Sequence, residues 1–463
     1  MPTKCVLLSQ ICARCALAGR LRRVESPCRN ARGNTLVGVM AISTAVLLVG
    51  IAIFVLGHAE GDIVEHAVDD ARAFYVAEGG LERARGWLGD LMVKDPGANP
   101  VGMCFEDQTL GGGSYSVSVE DRVSGFGWLP AFEVVSTGEL DGVQRQVRSV
   151  MVAETFARFQ WFVERGGWKW FGTGERFEGP VHVNADLQVD GDPWFGARVY
   201  AGGHATIKVG SDPTFEDGYE LHVEQIPLPG DDYLDGVLKA AALNGGRYVG
   251  SLPAGAFYLV GLGHYGHGTL TYVGVTGSYG HITQITIPRT VDLSTLNGAM
   301  WFDAPIAIAG TLDGQLTIGV NGNIEIWDDI VYYDATPYGG PNPGCDDVLG
   351  LIAAGHPYGD VIIKYTPPNR HDCVIHAVMM ALQKNIEAED YMHYPPRGDI
   401  VIYGGMIADY SIHMGEFSQG VCISGYNRDY RNDARLFSMP PPFFPLTGHY
   451  MVYSWEEVKR PEA

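Results

Sequence analysis

The sequence predicts two architectures in one chain. An α+β N-terminal part, one long helix with a small antiparallel β-meander, precedes an all-β domain of the right-handed parallel β-helix or solenoid class. Three observations carry this. An uncharged apolar run passes directly into helical periodicity that ends at Pro96-Gly97. The period then changes to two. From about residue 156, short apolar stretches recur between Gly, Asn and Asp corners. The expected segments are a basic leader (1–33), a transmembrane and amphipathic helix (34–98), a β-meander (99–155) and a β-helix-like ectodomain (156–463).

Composition agrees. Only 19% of the 463 residues are charged, and there are 61 Gly and 26 Pro, the make-up of a turn-rich β protein rather than a helical bundle or a disordered chain. A net charge of −22 argues against nucleic acid and other polyanions as partners. The charge is uneven. Before the apolar run stand Lys4, Arg14, Arg20, Arg22, Arg23, Arg29 and Arg32 against Glu25, and everything after it is acidic. The positive-inside rule then keeps the N-terminal arm in the cytoplasm and exports the bulk. Cys5, Cys12, Cys15 and Cys28 fall on the reducing side, with Cys104, Cys345, Cys373 and Cys422 on the exported side. Cys345 and Cys373 are possible disulfide partners, though four cysteines allow three connectivities.

The apolar run covers residues 36–57, about 22 residues, enough for a hydrocarbon core of roughly 30 Å. It is longer than the core of a cleavable signal peptide, and nothing like an A-x-A site follows it directly. Beyond it, apolar residues recur at Val64, Ala67, Val68, Ala71, Phe74, Tyr75, Leu81, Ala84, Leu88, Leu91 and Met92, an amphipathic helix. Span and helix are expected to form one rod, weakened at Gly57, Gly61 and Gly79-Gly80, where each glycine costs about 1 kcal/mol.

A basic leader, a Gly before an apolar span, and then "ARAFYVAEGGLERAR" resemble the N-terminal region of type IV pilins, and more narrowly of PilX-type minor pilins. The motif is Ala73, Phe74, Ala77, Glu78 and Leu81. The resemblance implies cleavage by a prepilin peptidase between Gly33 and Asn34. It implies membrane storage and filament packing through Leu36, Val37, Gly38, Val39, Leu47, Leu48, Ile51, Phe54 and Leu56. Other pilins, pilus assembly proteins and the bacterial inner membrane would be the partners, with the ectodomain periplasmic or on a cell-surface filament. Two departures stand out. Asn34 replaces the usual Phe or Met, and Gly38 stands where major pilins carry a Glu that pairs with a neighbouring subunit. A carboxylate in hydrocarbon is costly without such a partner, so a subunit that begins a filament has no need of one. The tip-type minor pseudopilin of type II secretion is similar in lacking it.

After Pro96-Gly97, "GSYSVSVED", "AFEVVSTGEL" and "RQVRSVMVAE" alternate polar and apolar residues, as a three-stranded antiparallel meander packed on the helix would. The remainder offers "APIAIAGTLDGQLTIGVNGNIEIWDDIVY", "GDVIIKYT" and "GDIVIYGGMIADY", strands of four to six residues without hairpin spacing. Coils of a parallel solenoid account for them; a β-sandwich is the competing all-β fold. Segments here resemble the C-terminal domain of large PilX-like anchored proteins, a resemblance that implies architecture more than activity.

Few constellations point to chemistry. Asp231-Asp232, Asp328-Asp329, Asp346-Asp347 and the stretch 427–433 supply carboxylates, but adjacent Asp pairs at corners read as turn residues rather than as a glycosidase pair. "DLQVDGDPW" and "NRDYRND" offer clustered oxygens that Ca²⁺ could use, without matching a known calcium loop. His264 and His267 lack a third ligand in sequence. Trp161, Trp168, Trp170 and Trp194 suit either a core or a sugar-stacking face. No phosphate loop, nucleophile elbow or HExxH motif is present. A non-enzymatic, cofactor-free filament component is the expectation, and a membrane-anchored β-helix enzyme acting on polysaccharide the alternative.

Overall fold

The structure, a computed structural model, describes residues 34–95, 98–102, 104–166, 169–264, 266–355, 359–364, 372–393 and 395–458. It falls into two compact units, Met1–Val68 and Asp69–Ala463. A long N-terminal helix, α1 (Asn34–Lys94, 61 residues), leads into an all-β ectodomain.

Within the first unit, α1 presents apolar side chains all round, and Leu36, Leu47, Leu48 and Phe54 are each more than 60% exposed. Thr44 Oγ1 donates back to Met40 O at 2.8 Å, so its hydroxyl is satisfied within the helix. The helix is long and apolar enough to cross a membrane.

Within the second unit, the later part of α1 lies on an antiparallel sheet of β1 (Cys104–Leu110), β2 (Gly113–Arg122), β3 (Ala131–Leu140) and β4 (Val143–Thr155). The expected meander is therefore one strand larger, and it does not end there. Strand Leu446–Val458 returns from the far end of the chain to pair antiparallel with β4, from Leu446↔Thr155 to Val458↔Gln146. Ala73, Ala77, Leu81, Ala84 and Leu88 are buried against this sheet with Val117, Val134, Met151 and Tyr450. Arg145 of β4 forms ion pairs with both Asp70 of α1 and Glu457 of the returning strand.

The glycines of α1 act differently from expectation. Gly79 and Gly80 do not break the helix; they let it approach the sheet. A Cβ on Gly80 would stand 2.5 Å from Ser136 Oγ and 2.7 Å from the Tyr115 ring, and one on Gly138 of β3 only 2.3 Å from Ala73 O. Ser136 Oγ donates to Ala77 O at 2.7 Å across the same seam. Gly138→Val is expected to force the helix off the sheet, lowering stability by about 1–3 kcal/mol. A fall in the thermal midpoint checks this; an unchanged midpoint contradicts the close approach.

Most of the rest of the second unit is built from parallel ladders, but Ala256–His264 and Gly268–Ser278 form a long antiparallel hairpin, contrary to the expectation of short strands without hairpins. One ladder runs Arg247–Val249, Ala299–Phe302, Gln315–Asn321, Val348–Ala354, Cys373–Ala381, Asp399–Ala408, Trp161–Val163, Val181–Val183, Val199–Ala201, Tyr219–Leu221, each paired with the next in parallel. Its order is not the chain order. The earliest strand, Trp161–Val163, lies in the middle, joined to Met406–Ala408 on one side and Val181–Val183 on the other. Along one face the register aligns Met300, Ile318, Leu351, Met379, Met406, Trp161, Val181 and Val199 in a fully buried column. The segment 222–246 connects the two ends of the ladder, and its Ile226, Leu234, Leu238 and Ala242 cover the opposite face over Phe162, Trp301, Ile352 and Met380. Burial on both faces explains why "VLGLIAA" and "CVIHAVMMA", the latter interrupted only by buried His376, are near-continuous apolar runs, buried at every position, rather than alternating ones.

Candidate functional site

Of the residues the sequence put forward, Gly33 lies outside the described residues, and Asn34 is the first residue of α1. Leu36, Val37, Gly38, Val39, Leu47, Leu48, Ile51, Phe54 and Leu56 all lie on the exposed apolar part of that helix. The motif Ala73, Phe74, Ala77, Glu78, Leu81 forms the helix–sheet seam. Ala73, Ala77 and Leu81 are buried, Phe74 is half-buried with its ring 6.1 Å from Trp455, and Glu78 accepts from Trp455 Nε1 at 2.6 Å.

Cys345 and Cys373 are buried thiols and form no disulfide with each other. Cys345 Sγ instead faces Asp347 Oδ2 at 3.5 Å, and burial raises its pKa. Asp347 is buried because it caps backbone, accepting from Gly314 N at 2.6 Å and Asp334 N at 3.0 Å. Asp329 likewise accepts from Val374 N at 3.0 Å, and Asp231 and Asp232 are exposed in the first turn of a short helix. In "NRDYRND", Asp429 pairs with Arg431 (2.6 Å) and Asp433 with Arg435 (2.7 Å). In "DLQVDGDPW", Asp186 and Asp192 accept from the backbone of His204 and Asp212, and Asp190 pairs with Lys208 at 2.6 Å. His264 packs on Tyr333, and His267 faces Asp292 at 3.4 Å. Among the described residues, no three His, Cys, Asp or Glu side chains gather as a metal site would require. Among these carboxylates, Asp186, Asp192, Asp329 and Asp347 cap backbone amides, and Asp190, Asp429 and Asp433 serve as counter-ions.

A different cluster stands out. Beside the continuous ladder runs a second face, where Val361–Ile363, Asn385–Ala388 and Ser411–His413 pair in parallel, and Trp170–Gly172, Leu187–Asp190 and Ala205–Ile207 do the same. Among the described residues, no pairing joins these two ladders. Beside Ser411–His413 lie two adjoining depressions of about 580 and 660 Å³ that share Lys169 and His413, the first reaching Trp170 and Gly172 and the second Asn385 and Tyr410.

The floor is charged. Glu175, with a wholly buried side chain, accepts from Lys169 Nζ at 2.6 Å and from Gly172 N at 2.7 Å, and pairs with Arg428. Arg428 stacks on Phe417, 3.5 Å from the ring centre, and Lys169 lies 5.1 Å over Trp161. Burial lowers the Lys169 pKa, opposed by Glu175. Burial works to raise that of Glu175, but Lys169 and Arg428 outweigh it and hold the carboxyl below the usual range. Burial, with Lys169 adding to it, lowers His413 to about 4, so the imidazole is neutral near pH 7. Trp170 is half-buried at the rim, with Lys208 4.4 Å over its ring. At the far end Arg165 binds fully buried Asp409 and lies 4.4 Å over Tyr410. Lys169 and Glu175 carried no sequence signal, and Arg428 stood only in a stretch read as acidic turn.

Comparison with known proteins is sparse. A family model described as a domain of unknown function (DUF4900) matches residues 128–203, which run from β3 and β4 into the first parallel strands. No curated protein matches. Among solved structures, the chain is similar to the competence-associated pilin ComZ from Thermus thermophilus, with 12% identity, a TM-score of 0.29, and coverage of 84% of this chain and 97% of that one.

Proposed function

We propose that this chain is a non-enzymatic, minor pilin-like component of a type IV pilus or pseudopilus. The observation that carries the proposal is α1, whose beginning is apolar and exposed on every side while its continuation packs by small residues on an antiparallel sheet. An apolar helix exposed in this way needs lipid or other apolar helices around it. The inner membrane and neighbouring pilins supply these in turn, with the N-terminus cytoplasmic. A prepilin peptidase cleaves between Gly33 and Asn34, and assembly proteins move the mature chain into the filament. With Gly38 in place of a carboxylate, the subunit initiates the filament and displays its ectodomain at the tip, for adhesion or assembly.

The ectodomain is read as a right-handed parallel β-helix inserted between β4 and the returning strand, because its longest ladder is parallel and its register stacks residues from successive turns of the chain. The segments 1–33, 34–98, 99–155 and 156–463 then serve as leader, filament helix, sheet and display domain, the last strand excepted.

Expressed with a prepilin peptidase, the wild-type chain should yield a mature N-terminus at Asn34, and Gly33→Leu should retain the leader. N-terminal mass spectrometry decides: an uncleaved wild-type chain, or normal cleavage of Gly33→Leu, removes the assignment.

A further inference from the structure

The geometry points to the split between the two side ladders as a binding groove for a saccharide chain that carries an isolated carboxylated sugar. The inference concerns the ectodomain alone and stands whether or not the N-terminal helix is processed.

Three features converge. First, the ladder that contains Trp161–Val163 and Met406–Ala408 is continuous at this level, whereas among the described residues no pairing joins Trp170–Gly172 to Ser411–His413, and a depression of about 580 Å³ lies there. Lys169 lines both depressions at this point. Second, the floor has two cations, Lys169 and Arg428, on one carboxylate, Glu175, which leaves one positive charge in excess. Asp190 at the edge is already matched by Lys208, and neutral His413 adds no charge. On a chain of net charge −22 this is a cationic spot in an acidic surround. One anionic group is welcome in the groove, while a polyanion is repelled by everything around it. Third, the walls suit sugars. The Trp170 and Tyr410 rings stand at the two depressions, and Thr173, Gln419, Asn385 and Ser411 line the space between with hydroxyls and amides. The two depressions share residues, so the groove has room for several sugar units rather than one.

The two carboxylates described at the groove, Glu175 and Asp190, are each held by cations, so neither stands free to act as acid or base.

The test uses the full chain in detergent micelles with sialyllactose and glucuronosyl-xylotriose as acidic probes, and lactose and xylotriose as neutral partners, in calorimetric titrations. The acidic sugars should bind about tenfold or more tightly than the neutral ones, as one charge-assisted contact requires. Lys169→Met should abolish that preference. Trp170→Ala, at the rim and remote from the core, should weaken every sugar, which keeps the test decisive if Lys169→Met misfolds. Failure of both acidic probes to bind, or equal binding of acidic and neutral sugars, overturns the inference. Tighter binding of single-stranded DNA or hexaglutamate than of the acidic sugars overturns it as well, in favour of a polyanion site.

Discussion

Truncation after Pro445 is expected to unfold the helix–sheet part while sparing the parallel ladders. Strand Leu446–Val458 supplies Leu446 and Tyr450 to the core beneath α1, and burying each such side chain is worth about 1.5–3 kcal/mol. Removal also deletes the acceptor of Ser149 Oγ (Ser454 O, 2.9 Å), the Trp455–Glu78 hydrogen bond and the Glu457 partner of Arg145. β4 becomes an unpaired edge, a template for aggregation. The combined loss exceeds about 5 kcal/mol, comparable with the whole stability of a small domain. The large core inside the ladders contains no residue of this strand. Limited proteolysis of the truncated chain should therefore cut within 98–155 and leave 161–430 resistant. Continued protection of β1–β4 would contradict the role assigned to the last strand.

That strand also shows where sequence reasoning stops. "LTGHYMVYSWEEV" is a plausible strand, but nothing local says that its partner lies some three hundred positions earlier. The helix was legible because its signal is local. Of the positions that marked its apolar face, Leu81, Ala84, Leu88 and Met92 are buried, whereas Val64, Ala67, Val68, Ala71 and Tyr75 are exposed; the buried Ala73 and Ala77 belong to the pilin-like motif instead. Gly79-Gly80 was legible as unusual and misjudged in effect, since a glycine pair weakens an isolated helix but permits close approach in a packed one. The short parallel strands were legible as apolar stretches, whereas their order was not. The chain enters its long ladder in the middle at Trp161–Val163 and must cross to the other end through 222–246 before completing it. The groove was least legible of all. Lys169, Glu175 and Arg428 are ordinary charges in sequence and acquire meaning only when the fold buries them together.

Glu175→Gln is expected to be the most damaging single substitution in the ladders. It retains the shape and an acceptor for Gly172 N, but leaves Lys169 and Arg428, whose side chains are 15% and 10% exposed, without their counter-charge. Breaking a buried pair from one side costs about 3–5 kcal/mol. Pairing Glu175→Gln with Lys169→Met removes one stranded cation, and the double variant should recover a large part of that loss. The dependence on pH has a definite sign. Folding holds the Glu175 carboxyl below its ordinary range, so its contribution is fully present above that range and is lost as pH falls through the depressed value. The stability curves of wild type and Glu175→Gln should lie apart near neutral pH and converge in acid. His413 adds a second slope, which burial sets and the Glu175 charge partly opposes. Its unfolded imidazole takes a proton near 6.5 while the folded one resists to about 4, so stability declines as pH drops through that window. Thermal midpoints from pH 7 to 3.5 test both features. A constant offset between the two curves down to the acid limit would show that Glu175 acts through shape and not through charge.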